Sequence, residues 1–368
     1  MVRPKLPKLL SFIEEKGLDG AVVVGTSNVQ YFTGFRGGGA ILVASREGAT
    51  LLVPQLEYSK ASADAVGVEV RPYYRYPVPG ITMPGLIEGT WLDAVAKVVE
   101  EYGLSSLGAN ISSIPYGEAA KLKEKLGDRL ALDLSSDISR MRSIKEDDEV
   151  EAMVAAARVA EAGLRAAVDA LAEGMGEVEL AGVVEEAMRR AGAEEYSFPT
   201  IVAFEENAAY PHTSPTGRRL GKGEVVLIDL GARLHGYCSD ITRTMAFGQL
   251  PERSREIAEA VLEAQLAGID AIAPGVKAEE PDAAARSILE KRGLAKYFIH
   301  SLGHGVGIDV HEAPRLSRAS EEELEPGMVV TVEPGVYVAG AVGVRIEDIV
   351  LVTKKGRRLL TSFERNLF

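Results

Sequence analysis

Four carboxylates and one imidazole stand in strand-like strings of this chain. They are Asp229 in VLIDLG, Asp240 in CSDITRT, His304 in LGHGVG, Glu333 in TVEPGVYV and Glu347 in GVRIEDIV. Carboxylates aimed into a shared apolar core repel one another and are costly to bury unpaired. A divalent metal cluster removes that cost and makes chemistry available, because bound cations turn water into a nucleophile at neutral pH. The pattern predicts a two-metal hydrolase. An oxygen-rich set with one nitrogen favours Mn²⁺ or Co²⁺, with Fe²⁺ or Zn²⁺ also compatible, over a thiolate-selected metal. The competing reading is a set of unrelated, solvated carboxylates. The apolar flanks and the pairing of the acids argue against it.

Asp229 and Asp240 flank ARLHGY. A hairpin turning between Leu234 and His235 sets them directly opposite each other, with Cβ atoms roughly 4.5–5.5 Å apart. That suits two ions about 3.5–4 Å apart. Glu333 and Glu347 face each other in the same way across a hairpin centred on Gly340. A bulge would break either register. Thr242 shares a strand face with Asp240 and is placed to hydrogen-bond a ligand carboxylate. Cys238 shares that face too, but a soft thiolate suits packing better than ligation here. His304 is flanked by Gly303 and Gly305, which allow close backbone approach.

The strings also repeat. GEVVLIDLG at 223–231 matches GMVVTVEPG at 327–335, which aligns Asp229 with Glu333 at an offset of 104. Upstream, EGM and a helix ending RRAG resemble PGV and a helix ending EKRG; His212 opens HTSP and His311 opens HEAP. An offset this long means a duplicated half-domain, not a solenoid. The expected architecture is pseudo-two-fold, with the site on the axis.

The elements that carry these residues occupy the C-terminal part of a 368-residue chain, long enough for two domains. The expected boundary separates 1–135 from 136–368. The first block reads as α/β, with a helix at 5–16 and strands at 20–24, 39–44 and 50–53. Its proline- and tyrosine-rich stretch at 71–85 reads as a binding lip or lid, or as a surface or dimer-contact loop. Ser143 and Glu146 form a candidate capping box that opens an alanine-rich helix reaching about Leu171. The net charge of −13 argues against nucleic acid and acidic membranes as partners. Cys238 is the single cysteine, so no intrachain disulfide can form and a reducing, cytoplasmic setting is expected. The N-terminal segment reads as an amphipathic helix rather than a signal peptide. No apolar run reaches the roughly 18 residues of a membrane span.

HSLGHGVGIDVHEAPR (300–315), EPGVYV (333–338) and GVRIED (343–348) resemble the pita-bread metallopeptidases, and within them the proline-specific branch of Xaa-Pro dipeptidase (prolidase) and Xaa-Pro aminopeptidase. The resemblance covers most of 143–368, including the tail LLTSFERNLF. The first block is similar to the creatinase-type N-terminal domain. The resemblance implies a creatinase-like α/β domain followed by an α+β pita-bread catalytic domain with internal duplication. It implies Asp229, Asp240, His304, Glu333 and Glu347 as ligands, with Asp240 and Glu347 bridging two divalent ions, and it suggests a homodimer. His212 and His311 match catalytic or substrate-orienting histidines, and Arg345 matches an arginine near the site.

The mechanism expected on that basis is attack by a metal-bridging hydroxide on the carbonyl before proline. Glu333 would shuttle the proton, His311 would donate to the oxyanion, and His212 and His300 would line the proline pocket. Arg315, in HEAPR, is placed to bind the carboxylate that ends a dipeptide. His300 has the alternative of a hydrogen-bonded core histidine. Arg345 has that of neutralising the acids. His235 looks incidental, at a hairpin tip. Phe204-Glu205-Glu206 stands where the family often has Ser-Gly, and is expected to change the pocket wall near His212. The expected activity is Xaa-Pro dipeptide hydrolysis. The alternatives are Xaa-Pro aminopeptidase action on longer peptides, or a non-catalytic binding protein, which should have lost its ligands.

Overall fold

The computed structural model describes residues 2–76, 80 and 83–368. The chain divides into two units, Val2–Arg142 and Ser143–Phe368. Part of the 71–85 stretch read as a lip or lid, residues 77–79 and 81–82, lies outside the described residues.

In chain order the first unit contains α1 (Leu6–Glu15), β1 (Gly20–Val23), α2 (Thr26–Thr33), β2 (Ile41–Ser45), β3 (Ala49–Pro54), α3 (Tyr58–Asp64), β4 (Glu69–Tyr74), β5 (Ile87–Glu88), α4 (Trp91–Glu101), β6 (Leu107–Ala109), α5 (Tyr116–Leu126), β7 (Leu130–Asp133) and α6 (Ser135–Ser143). Leu6, Leu9 and Ile13 are the buried stripe of α1, at helical spacing. The strands form one sheet in the order β5-β4-β3-β2-β1-β6-β7. β1 to β3 pair antiparallel, while β3-β4, β4-β5, β1-β6 and β6-β7 are parallel. Every residue of β1 is buried, as a central strand covered on both faces requires.

The division of the chain falls at 142/143, and α6 is tied to the first unit. The Met141 carbonyl accepts from Lys8 Nζ and Tyr31 Oη, both at 2.8 Å, and Arg142 Nη1 donates to Asn28 Oδ1 at 2.7 Å. Ser143 therefore ends a helix instead of capping the next one. The cap falls three residues later, where Glu149 Oε2 accepts the Glu146 backbone N–H at 3.0 Å.

The second unit contains α7 (Asp147–Ala170), α8 (Glu177–Arg190), β8 (Glu195–Tyr196), β9 (Ile201–Phe204), β10 (Glu224–Leu230), β11 (Ala232–Leu234), β12 (Tyr237–Cys238), β13 (Ile241–Phe247), α9 (Glu252–Asp270), α10 (Glu279–Lys291), β14 (Gly303–Gly305), β15 (Glu312–Leu316), β16 (Val329–Val332), β17 (Gly335–Val338), β18 (Val342–Arg345), β19 (Asp348–Thr353) and β20 (Gly356–Leu359). Its sheets are β13-β10-β9, β12-β11-β8, β15-β14-β16-β19-β20 and the ribbon β17-β18. The duplication is visible as two helix pairs, α7 with α8 and α9 with α10, each followed by a long hairpin interrupted midway. One core packs Leu164 and Val184 against Val226 and Ile228. The other packs Val261 and Leu289 among Val330 and Val332.

The second hairpin has the expected register. Val332 opposes Asp348 and Gly335 opposes Arg345, so the same register carried across the interruption sets Glu333 opposite Glu347. The first hairpin corrects the expectation. Asp229 opposes Thr242, not Asp240, and Leu234 opposes Tyr237. The turn is the two-residue His235-Gly236, with φ of +53° and +79°. Positive φ at both central residues defines the type I′ turn that matches strand twist. The turn thus falls one residue later than expected, and Asp240 lies two residues out of opposition.

Candidate metal centre

All five clustered residues line one cavity of about 730 Å³, together with His212, His300, His311, Arg315 and Arg345. Asp229 is the next-to-last residue of β10, one residue from the interruption. Asp240 lies in the gap between β12 and β13, Glu333 between β16 and β17, and Glu347 between β18 and β19. These gaps free side chains from the flat alternation of a strand while the backbone stays tied. Glu333 N–H donates to the Leu302 carbonyl at 2.8 Å and Glu347 N–H to the Thr242 carbonyl at 3.1 Å. His304 reaches the cluster because its neighbours lack side chains. A Cβ at Gly303 would stand 2.0 Å from the Thr331 carbonyl oxygen, and one at Gly305 2.1 Å from that of Ala313.

Ligand atoms of Asp240, His304 and Glu347 all lie within 4.8 Å of one another. His304 Nε2 is 3.6 Å from Asp240 Oδ2 and 3.4 Å from Glu333 Oε1. Its Nδ1 is 3.0 Å from the Gly305 carbonyl oxygen. A carbonyl only accepts, so Nδ1 carries the hydrogen and Nε2 turns its lone pair on the acids. Burial lowers the imidazole pKa to about 4, which keeps it neutral. Burial, reinforced by their mutual repulsion and by Asp229, raises Asp240 and Glu333 well above the usual carboxylate range and Glu347 to about 8. Asp229 Oδ2 accepts from Arg345 at 2.5 Å, while its Oδ1 is buried with no hydrogen-bond partner. Crowded buried acids, a neutral imidazole lone pair and an orphaned carboxylate oxygen are the donor set that divalent cations satisfy. The residues fit such a centre.

The chain matches metallopeptidase family M24 over residues 151–354 and the creatinase/prolidase N-terminal domain over residues 5–144. It belongs to metallopeptidase family M24. A Pyrococcus horikoshii relative named Xaa-Pro dipeptidase is 38% identical over 369 residues, covering 100% of this chain and 99% of its own. The crystal structure of the prolidase from Pyrococcus horikoshii OT3 superposes with a TM-score of 0.87 at 38% identity, covering 99% of each chain. That of an X-Pro aminopeptidase from Thermotoga maritima gives 0.90 at 29% identity, covering 100% of this chain and 99% of its own. The expected architecture, a creatinase-type domain followed by the family's catalytic domain, is that of this chain.

In this M24 peptidase a second set of side chains holds the acids. Thr242 Oγ1 donates to Glu347 Oε2 at 2.8 Å, as its strand position predicts, and accepts from Arg345 Nε at 3.1 Å. Arg345 is buried, and its guanidinium also donates to Asp229, to Tyr337 Oη at 2.8 Å and to the Pro211 carbonyl at 3.5 Å. These contacts are those of a residue that neutralises the acids, and Arg345 also lines the cavity. His300 donates through Nδ1 to the Ser301 carbonyl at 2.8 Å and accepts at Nε2 from Tyr337 Oη at 2.9 Å. Burial lowers its pKa to about 4 and raises Tyr337 to about 12. His300 therefore lines the cavity with both ring nitrogens occupied. His311 packs edge-on to His304 with ring centroids 4.3 Å apart. Arg315 is exposed on β15, opposite His304. His212 follows Pro211, whose carbonyl lies 3.5 Å from Arg345 Nη1.

Beneath the acids, Arg243 is fully buried and uses all of its donors. Nε binds the Glu364 carbonyl at 2.8 Å; Nη1 binds the carbonyls of Thr242 and Glu347 at 2.9 and 2.5 Å; Nη2 binds Asp348 Oδ1 at 2.8 Å and the Phe363 carbonyl at 2.7 Å. Sequence reasoning missed Arg243, and it missed Tyr337. The register of the second hairpin, which sets Arg345 opposite Gly335, could have found Tyr337 two residues along the same face. A Cβ at Gly335 would lie 2.2 Å from the Tyr337 hydroxyl, so the glycine makes room for it. Phe198, Pro199 and Ile201, an apolar cavity wall, were also missed, as was Glu312, whose carboxylate forms a buried ion pair with Lys145 at 3.1 Å.

The side chains of Phe204 and Glu205 do not line the cavity. Phe204 is fully buried in the core, and Glu205 Oε2 accepts the Val225 N–H at 2.9 Å. Cys238 is buried, with its thiol directed at the Ile308 carbonyl at 3.3 Å, a packing role. Among the described residues no helix is long and apolar enough to cross a membrane.

Proposed function

We propose that this M24 peptidase is an Xaa-Pro dipeptidase. The convergence of Asp229, Asp240, His304, Glu333 and Glu347 on one cavity beside His212, His311 and Arg315 carries this reading, supported by relatives of that name at full-length coverage. Those five residues would hold two divalent ions, with Mn²⁺ or Co²⁺ favoured by the oxygen-rich donor set. When bound, the ions supply a water-derived nucleophile at neutral pH and polarise the scissile carbonyl. The chain's own residues do the rest. Glu333 holds the proton at its carboxylate and passes it to the leaving imide nitrogen. His311 donates to the oxygen on which negative charge develops. An Xaa-Pro imide nitrogen has no hydrogen to read, so recognition falls to ring shape, met by His212 with Phe198, Pro199 and Ile201. Arg315 would receive the carboxylate that follows proline in a dipeptide.

The alternative is an Xaa-Pro aminopeptidase, favoured by the equally good superposition on the Thermotoga maritima enzyme of that name. Turnover of Ala-Pro or Met-Pro against a longer Xaa-Pro-Xaa peptide, with Mn²⁺ or Co²⁺ added, separates the two. Preference for the dipeptide is expected, and Arg315→Met should raise KM for it about 10–100-fold, the scale of a lost carboxylate clamp, while sparing the longer peptide. Equal or faster cleavage of the longer peptide overturns the dipeptidase reading. We also place the protein as a cytoplasmic homodimer, consistent with its lone buried cysteine and with the resemblance. Light scattering on the purified protein tests the dimer.

A further inference from the structure

Glu177, the first residue of α8, is fully buried. Its charge is met by neutral donors from one short stretch of chain. Oε1 accepts the Phe204 N–H at 2.8 Å. Asn207 Nδ2 donates to both oxygens, at 3.0 and 3.1 Å. Oε2 accepts the Thr216 N–H at 2.9 Å and the Thr216 hydroxyl at 2.5 Å. Phe204 and Asn207 open a segment that Thr216 closes, and His212 lies between them. One carboxylate thus gathers both ends of the segment that carries this histidine to the cavity wall. The start of α8 reinforces the grip, since the N–H groups of Glu177 and Val178 donate to the carbonyls of Arg218 and Thr216 at 3.1 and 3.2 Å.

The other half of the duplication anchors a segment too, from a different helix position: the paired helix starts carry Glu177 onto Ala278, and the anchoring acid lies four residues further on. Asp282, in the first turn of α10, is also fully buried. It accepts the Leu302 N–H at 3.0 Å and pairs with Arg286 Nε at 2.5 Å. Arg286 in turn donates to the carbonyls of Phe298, at 2.9 Å, and of His300. This anchor holds the stretch that ends at His304. A buried carboxylate saturated with hydrogen bonds to one segment costs its full desolvation once those donors are lost, so the segment and the acid hold each other in place.

We propose that Glu177 is a positioning residue for His212, and that each half has placed its own buried carboxylate near a helix start for a separate task. Glu177 sets the substrate-side histidine; Asp282 sets the metal-side one. The catalytic consequence rests on the peptidase reading above, whereas the anchoring does not. Glu177→Gln removes the charge and puts an amide donor among donors. In the Mn²⁺-loaded full-length protein, amide exchange across 205–215 should accelerate by at least ~10-fold, the response of a segment released to local opening. Metal content should stay at the wild-type level. kcat/KM for Ala-Pro should fall about 10–100-fold, as expected for a displaced side chain in an otherwise intact site. The double variant Glu177→Gln/His212→Ala should be no slower than His212→Ala alone, because both remove the same contribution. Asp282→Asn should instead lower metal content. Should Glu177→Gln fail to fold, Asn207→Ala and Thr216→Val remove the donors singly and are read the same way. Wild-type exchange at 205–215 in these variants, or additive losses in the double variant, overturns the proposal. If His212→Ala alone turns over Ala-Pro normally, the substrate role of His212 fails, and the exchange measurement still decides the anchoring.

Discussion

In the second half of the catalytic unit Glu333 stands opposite Glu347; in the first, Asp229 stands opposite Thr242 and Asp240 sits two residues further along. Superposing the halves by their registers matches Asp229 with Glu333, Thr242 with Glu347, and Asp240 with Arg345. Only the first match is acid with acid. The other two each pair an acid with a different group, and they do so in opposite halves. Thr242 and Glu347, 105 residues apart, hydrogen-bond to each other, as do Arg243 and Asp348 at the same separation. Residues related by a two-fold operation touch one another only near its axis, so the cluster lies where the sequence repeat implies. The asymmetry also has an electrostatic sense. Six acids there would exceed the four positive charges of two divalent ions. Replacing two of the six positions with a hydroxyl and a guanidinium leaves four, and the two replacements brace the acids that remain.

The comparison predicts unequal losses. Removing an acid costs most: Glu347→Gln, or chelation of the wild type, should lower prolyl-dipeptide turnover by at least ~1,000-fold, since the activated nucleophile is gone. Activity surviving chelation would break the account of the cluster. Arg345→Met comes next. It strands Asp229 as an uncompensated buried charge, and loss of about 3–5 kcal/mol is expected in urea unfolding of the metal-free protein. An unchanged midpoint would mean that Arg345 is not the counterweight to the acids. Thr242→Val removes only one donor from Glu347 and should weaken metal affinity about 10–100-fold, measured by competition with a chelator.

The smallest effect is a pH trend. Glu347, at about 8 in the fold against 4.5 when unperturbed, is protonated in the metal-free native state and ionised once unfolded between those values. Its folded pKa is raised, so metal-free stability is greatest below about 4.5 and declines as pH rises towards 8. Bound ions require the carboxylate, so the gain in Tm on adding Mn²⁺ should widen from pH 5 to pH 8. A constant gain would contradict the crowding of the acids.

The second hairpin could be read from sequence because Gly340 marks its centre symmetrically and the register is the same on both sides of the interruption. The first could not, because a His at positive φ is uncommon and only the strand pairing reveals that His235-Gly236 forms the turn. Thr242 was legible from alternation along one strand. Arg345 and His300 could be placed near the site, but their commitments were hidden, since Asp229 is 116 residues from Arg345 and Tyr337 is 37 from His300. Where Phe204 and Glu205 point was not legible, because a difference in sequence says nothing of which way a side chain faces.

Arg243 joins the carbonyl groups under Thr242 and Glu347 to those of Phe363 and Glu364, 120 and 121 residues downstream. During synthesis the guanidinium would wait for that stretch to emerge, with its donors unmet in the interim. The floor of the cavity is therefore finished late, and a ribosome-bound chain stalled before residue 361 should capture no metal, which radioactive Mn²⁺ retention on purified stalled complexes would reveal.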